Sequence, residues 1–336
     1  MMSRQKSSFS LLDLVETPDA FTSASAEEDT QQPTPEQPSE QLAEQPEAVI
    51  QFELPDVLGS FTKNVVCTMD ESFGNKALLG MQAFIAHCSG VVDLATLCSG
   101  SEIAVVGLSD LRDAMQKRYS QLTFDFKHVL SSDICPQVQE WIKTHLNPAQ
   151  LSSDLTTLCT GTAWDAISKS LMQVRSPNLV ICGFSCHDVS FRNPAKKNFL
   201  QKLLDLMEWL AEAQRLTTEE EDADPEIGET YKTLRGVLSF IFIFRPECVI
   251  LENVSGIMNG DLDERISAWL REHGYTVVKQ MVDSSAWALP EKRRRLYWFA
   301  VRSSLLEPVD QDILETNFSQ VSFSHLVPPL SHQCLC

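Results

Sequence analysis

Short apolar runs and helix-periodic segments take turns along this chain six or seven times, and few folds accept such a rhythm. The run GVVDLATLCSG is followed by SEIAVVGLSDLRDAMQKRY, a helical pattern from about Ser101. FKHVLSSD is followed by PQVQEWIKTHL, whose Pro136 suits a first helical turn. A short extended piece at Leu151–Asp154 and a helix from about Ala163 to Met172 come next. The run from Asn178 to Gly183, entered from Pro177, reads as a short buried strand. Leu200, Leu203, Leu204 and Met207 then recur at helical spacing. A helix near Thr230–Phe244 precedes the strand CVILEN, and Leu262, Ile266, Trp269 and Leu270 mark another helix, stopped by Gly274. YTVVKQMVD and RLYWFAV complete the series as strands. Parallel strands need crossover connections, so this alternation predicts an α/β fold with a doubly wound, mostly parallel sheet. Ligands bind beyond the C-terminal ends of such strands. Attention therefore falls on the residues after Cys98, Asp133, the neighbourhood of Asp154, the residues after Gly183, and Glu252.

The chain divides by composition. Residues 1–60, rich in Gln, Glu, Pro, Ser and Thr, cannot bury enough apolar area to offset their ordering entropy and are expected to form a disordered acidic tail. Residues 61–305 are expected to form the α/β domain, with an acidic insertion at 217–229 and a short C-terminal tail at 306–336. Residues 1–60 hold 12 acidic and 2 basic side chains, and 218–229 hold 7 acidic and no basic ones. Nearly all of the net charge of −19 lies in these two segments, which leaves room for a local basic groove on a near-neutral body. No apolar run approaches the length of a membrane span, and the N-terminus lacks a signal-type segment. The expectation is an intracellular protein without a membrane partner, nuclear if its source is eukaryotic. The ten cysteines show no disulfide-like rhythm and no CxxC, so reduced thiols and no bound metal are expected.

Cys186 lies just past the end of the strand before Gly183, in the polar loop FSCHDVSFRN. Most free cysteines are small buried hydrophobes, and this position alone does not separate that reading from a nucleophile. Asp133 ends the second strand, where a carboxylate can accept from ribose hydroxyls, and Asp154 follows the third, placed to accept from an exocyclic amine such as that of adenine. The turn LCSGSE has one glycine, Gly100, and no GxGxxG, so a pyrophosphate cradle is not indicated. A nucleoside cofactor without a diphosphate, S-adenosylmethionine, fits better than NAD.

GFSC, LENV and LPEKRRRLYWFAV each stand at a strand end, in that order, and together the chain from about 90 to 302 resembles the cytosine-5 methyltransferase family. The family's Pro-Cys, Glu-Asn-Val and Gln-x-Arg-x-Arg motifs fall on Ser185-Cys186, Glu252-Asn253-Val254 and Glu291-Lys-Arg293-Arg-Arg295. The resemblance implies Cys186 as the nucleophile on cytosine carbon 6, Glu252 at the ring nitrogen and amine, and Arg293 and Arg295 as catalytic partners. Arg295 would meet the cytosine oxygen. It further implies that Cys98, Ser99, Gly100, Asp133, Ile134, Asp154 and Leu155 bind S-adenosylmethionine, and that Ser190, Arg192 and Asn253 contact the substrate. DNA is the implied partner, with the base flipped from its stack. RNA is a second candidate, because the chemistry on cytosine is the same.

This sequence departs from the family at Ser185, where Pro is usual, at His187 for Gln or Asn, at Glu291 for Gln, and at Glu102 for Gly. The segment after Val301 is too short for the family's target-recognition region. Weak duplex binding by this chain alone is therefore expected, with better action on unpaired cytosines or with a recognition partner. The alternative is a truncated methyltransferase-like module that binds cofactor or a partner. A thiol-phosphatase loop is disfavoured because Cys186 and Arg192 enclose no glycine, and a zinc deaminase because its H-x-E and P-C-x-x-C pair is absent.

Overall fold

A computed structural model of the chain describes residues 75–98, 100, 102–190, 203, 207, 228–284 and 293–306. All of them belong to one compact unit, Phe52–Cys336. The expected tail at 1–60, most of the acidic insertion at 217–229 and nearly all of the C-terminal tail lie outside the described residues. So do Ser99, Arg192 and Glu291.

Helix α1 (Asn75–His87) leads into β1 (Val91–Leu97), α2 (Ile103–Arg118), β2 (Asp125–Ser132), α3 (Pro136–His145) and the short β3 (Leu151–Ser152). A 3-10 turn (Leu155–Thr160), β4 (Thr162–Asp165) and β5 (Ser170–Gln173) precede β6 (Leu179–Cys182). The rest comprises α4 (Glu229–Phe244), β7 (Cys248–Val254), a second 3-10 turn (Ser255–Asp261), α5 (Leu262–Glu272), β8 (Tyr275–Asp283) and β9 (Arg294–Arg302). Seven strands form one sheet in the order β3-β2-β1-β6-β7-β9-β8, parallel except for β9, which runs antiparallel to both neighbours. This is the doubly wound, mostly parallel sheet that the alternation predicts. The chain winds outward from β1 to β3, then returns to place β6 on the other side of β1. The C-terminal ends of β1 and β6 therefore flank the topological switch point, where a crevice opens.

The period of two along each central strand sorts its side chains between two layers. Val92 and Leu94 of β1 pack with Leu179, Ile181, Cys248 and Ile250 beneath Phe84 of α1 and Val105 and Leu108 of α2. Ala95, Leu97, Val180, Cys182, Val249 and Leu251 face the opposite way, into the main core with α4 and α5. Burial on both faces explains why β6 reads LVIC with no polar residue. Leu203 and Met207 are helical and buried in the same core, in agreement with their spacing. In α4, Gly236 has its Cβ position 3.0 Å from Leu155 Cγ, so a side chain there would push the 3-10 turn away. Among the described residues no helix is long and apolar enough to cross a membrane.

One expected element is overturned. Residues 163–172 are not a helix but the antiparallel hairpin β4–β5. Their alternation is of period two, with Ala163 and Asp165 inward and Trp164 outward opposite Leu171. The Asp165 carboxylate accepts from the backbone of Ile167 and Ser168, building the turn from its own side chain. It also accepts from Leu151 N, which pins the hairpin to β3.

Candidate active site

The three central strands β1, β6 and β7 end together. A Cβ at Gly183 would lie 3.1 Å from Glu252 Oε2 and 3.6 Å from Cys98 O, so only glycine lets these strand ends approach so closely. The turn that follows carries Cys186 half-buried against the main core. Its carbonyl accepts from Val189 N (3.2 Å) and Ser190 N (2.9 Å), which curls residues 186–190 into a single tight turn. Ser190, expected at the substrate, closes this turn with its backbone.

Glu252 and Arg295 meet across β7 and β9, with Arg295 Nε 2.8 Å from Glu252 Oε1. Burial pushes the Glu252 carboxyl up from its ordinary value, and the Arg295 and Arg293 guanidiniums pull it part of the way back. A carboxyl raised in this way holds a proton more readily than a solvated one, the property needed to hydrogen-bond a ring nitrogen as charge develops there. Arg293 stands at the head of β9, held by Ser284 Oγ, which accepts from Arg293 N at 2.8 Å. Tyr297 is the register partner of Glu252, and burial followed by the Glu252 charge pushes its phenol up. Asn253 was expected to contact substrate. Instead its buried amide donates to Phe184 O (2.9 Å) and Ser185 O (3.4 Å), which holds the Cys186 turn in place.

On the other side of the switch point, Asp133 Oδ2 accepts from Gly100 N (3.2 Å) and Oδ1 from Cys135 N (2.9 Å). The carboxylate thus ties the turn after β1 to its own turn and keeps lone pairs in reserve. Cys98 and Gly100 both have positive φ (52° and 59°). Cys98 N donates to Ser132 O at 2.7 Å, fixing the turn to the end of β2. Among the described residues nothing lies within 4 Å of a Cβ position at Gly100, so they leave an open shelf above the turn. Ile134 beside Asp133 is 81% exposed, an apolar side chain suited to cover a purine face. Asp154 caps the 3-10 turn, its Oδ1 accepting from Thr156 N (2.8 Å) and Oγ1 (2.7 Å), while Leu155 is buried against Gly236.

Glu102 also has positive φ (57°), which explains why glycine suits the position. Its side chain is buried and accepts from Thr96 Oγ1 and Ser131 Oγ, bridging β1 to β2 and leaving the shelf at Gly100 clear. The open shelf, the strand-end carboxylate and the exposed isoleucine fit S-adenosylmethionine. Among the described residues no group of His, Cys, Asp and Glu could hold a metal ion.

Comparison with known proteins places this geometry. Residues 228–327 match the model of the C-5 cytosine-specific DNA methylase family. A protein of Verticillium dahliae named DNA (cytosine-5-)-methyltransferase DMT5 is 30% identical over 62% of this chain and 10% of that protein. Its namesake from Cryptococcus neoformans is 28% identical over 63% of this chain and 8% of that protein. The chain therefore spans about a tenth of the length of these relatives. Among solved structures, the S. pombe Dnmt2 methyltransferase is 18% identical over 63% of this chain and 50% of that one, with a TM-score of 0.34. The matched segment takes in α4, Glu252 and Arg295, and over it the chain is similar to the C-5 cytosine-specific DNA methylase family.

Proposed function

We propose that this chain transfers a methyl group from S-adenosylmethionine to carbon 5 of cytosine in DNA through a covalent Cys186 adduct. The observation that carries the reading is the convergence at one sheet edge. The half-buried Cys186 turn stands beside a Glu252–Arg295 pair, with the Gly100–Asp133 shelf across the switch point. The names of the DMT5 relatives support the reaction class and DNA as substrate.

Asp133 would hold the ribose and Ile134 the adenine. Bound S-adenosylmethionine supplies an electrophilic methyl on its sulfonium. Cys186, as thiolate, adds to carbon 6 and makes carbon 5 nucleophilic. Glu252, carrying its proton, donates to the ring nitrogen and accepts from the amine, stabilising the charge that sulfur addition drives into the ring, and Arg295 keeps that carboxyl oriented. After methylation, the carbon-5 proton leaves to solvent, its electron pair re-forms the ring double bond, and the Cys186 sulfur departs as thiolate. A labelled-methyl transfer assay over duplex DNA, single-stranded DNA and RNA tests the reading. Label at carbon 5 of cytosine in DNA supports it, and label confined to RNA or absent from all three refutes it.

A further inference from the structure

Ser185 stands where the family has proline, and it differs from proline in two ways. It does not lock φ, and it keeps a backbone N–H. That N–H donates to Thr233 Oγ1 at 3.1 Å. The Thr233 hydroxyl directs its own hydrogen to Glu229 O (2.9 Å) or Thr230 O (3.2 Å), so its oxygen faces the turn as an acceptor. Three residues on, Asp188 makes a reciprocal pair with the same helix. Asp188 N donates to Thr230 Oγ1 (3.0 Å), and Thr230 N donates to Asp188 Oδ2 (2.7 Å). Asp188 is 1% exposed and sits against the N-terminal end of α4, where the helix dipole favours a carboxylate. A Cβ at Gly228 would collide with that carboxylate, so the head of α4 is shaped to lie on it. Cys186 lies between the two anchored residues.

We propose that Thr233, with Asp188 and Thr230, acts as a positioning clamp on the Cys186 turn, taking over from the rigid ring of the usual proline. The proposal rests on Cys186 being the nucleophile. The turn is thereby fixed by α4, through contacts 42 and 48 residues apart in the chain, as well as by Asn253 of β7.

The test follows the Ser185 amide by hydrogen exchange in the full chain, comparing wild type with Thr233→Val and Thr233→Ser. Thr233→Val should speed its exchange about tenfold, the worth of one hydrogen bond, and Thr233→Ser should restore protection. Unchanged exchange in Thr233→Val overturns the clamp. The same variants are then assayed for the rate of adduct formation with a 5-fluorocytosine oligonucleotide. Thr233→Val should slow it about tenfold with substrate affinity unchanged, and Thr233→Ser should recover it. In a Ser185→Pro background, which has no N–H to anchor, Thr233→Val should cost less than about twofold. An equal cost in both backgrounds overturns the proposal. If no protein forms an adduct, the nucleophile reading fails, while the exchange result still decides whether Thr233 anchors the turn.

Discussion

The two sides of the switch point are held in different ways. On the cofactor side, the turns after β1, β2 and β3 are tied to one another as well as to their own residues. Asp133 bonds Cys135 two residues on and Gly100 in the turn after the neighbouring β1, and Asp154 bonds Thr156. On the nucleophile side, the Cys186 turn closes on its own carbonyl and is held in addition by Thr230 and Thr233 on α4 and by Asn253 on β7. The nucleophile turn is thus anchored to a helix and a strand that follow it in the chain, whereas the cofactor-side turns are anchored to one another. Damage to α4 or β7 should therefore reach catalysis without touching cofactor affinity, and damage at Asp133 should do the reverse.

The largest expected effect comes from Cys186→Ala. Methyl transfer should fall below detection while S-adenosylmethionine affinity, measured by calorimetry, stays near wild type. Residual transfer would mean that another group adds to the base.

Glu252→Gln comes next. The amide keeps an oxygen for Arg295 but can neither carry the charge nor release the proton, so turnover should drop on the order of a hundredfold. Asp133→Ala should weaken S-adenosylmethionine binding roughly ten- to a hundredfold, the worth of one or two charge-assisted hydrogen bonds, and leave Cys186 alkylation rates unchanged. If both variants lose cofactor affinity equally, the separation between the two sides does not hold.

How much of this division was legible in the sequence follows from the same physics. Strand ends are readable, because an apolar run that stops at a polar residue marks both the sheet and its edge. Asp133, Asp154, Cys186 and Glu252 all fall there. The clamp was not readable, since a threonine one helical turn into α4 gives no sign that it faces residue 185. The faint signal is the pair Thr230 and Thr233 at the head of an apolar helix, directly after Gly228. Glu102 shows in the sequence only as a departure from the family's glycine, because the backbone conformation alone reveals that its side chain turns inward between β1 and β2. The hairpin at 162–173 read as a helix because mixed apolar and polar residues over so short a span satisfy either period, and the Asp165 turn decides between them. Asn253 stood next to Glu252 in the sequence and was expected at the substrate, yet neighbours on a strand point to opposite faces.

The smallest effect is thermodynamic. Because the folded-state value of Glu252 is raised, the folded protein is penalised where the carboxyl ionises, and the penalty is absent below the ordinary carboxylate range. Glu252→Gln should therefore melt slightly higher than wild type at pH 7, on the order of 1–2 °C, and the gap should close as pH falls through the carboxylate range. A variant that melts lower than wild type at pH 7, with the deficit vanishing on acidification, would mean that the Arg295 pair outweighs burial.

A covalent bond between Cys186 and cytosine is tested most directly by trapping it. Fluorine at carbon 5 blocks the elimination that frees the enzyme, so a duplex carrying 5-fluorocytosine, incubated with S-adenosylmethionine, should leave a denaturation-resistant complex. Peptide mapping by mass spectrometry should place the DNA on Cys186, and Cys186→Ala should form none. A stable adduct mapped to any other residue, or one that survives Cys186→Ala, would contradict the assignment.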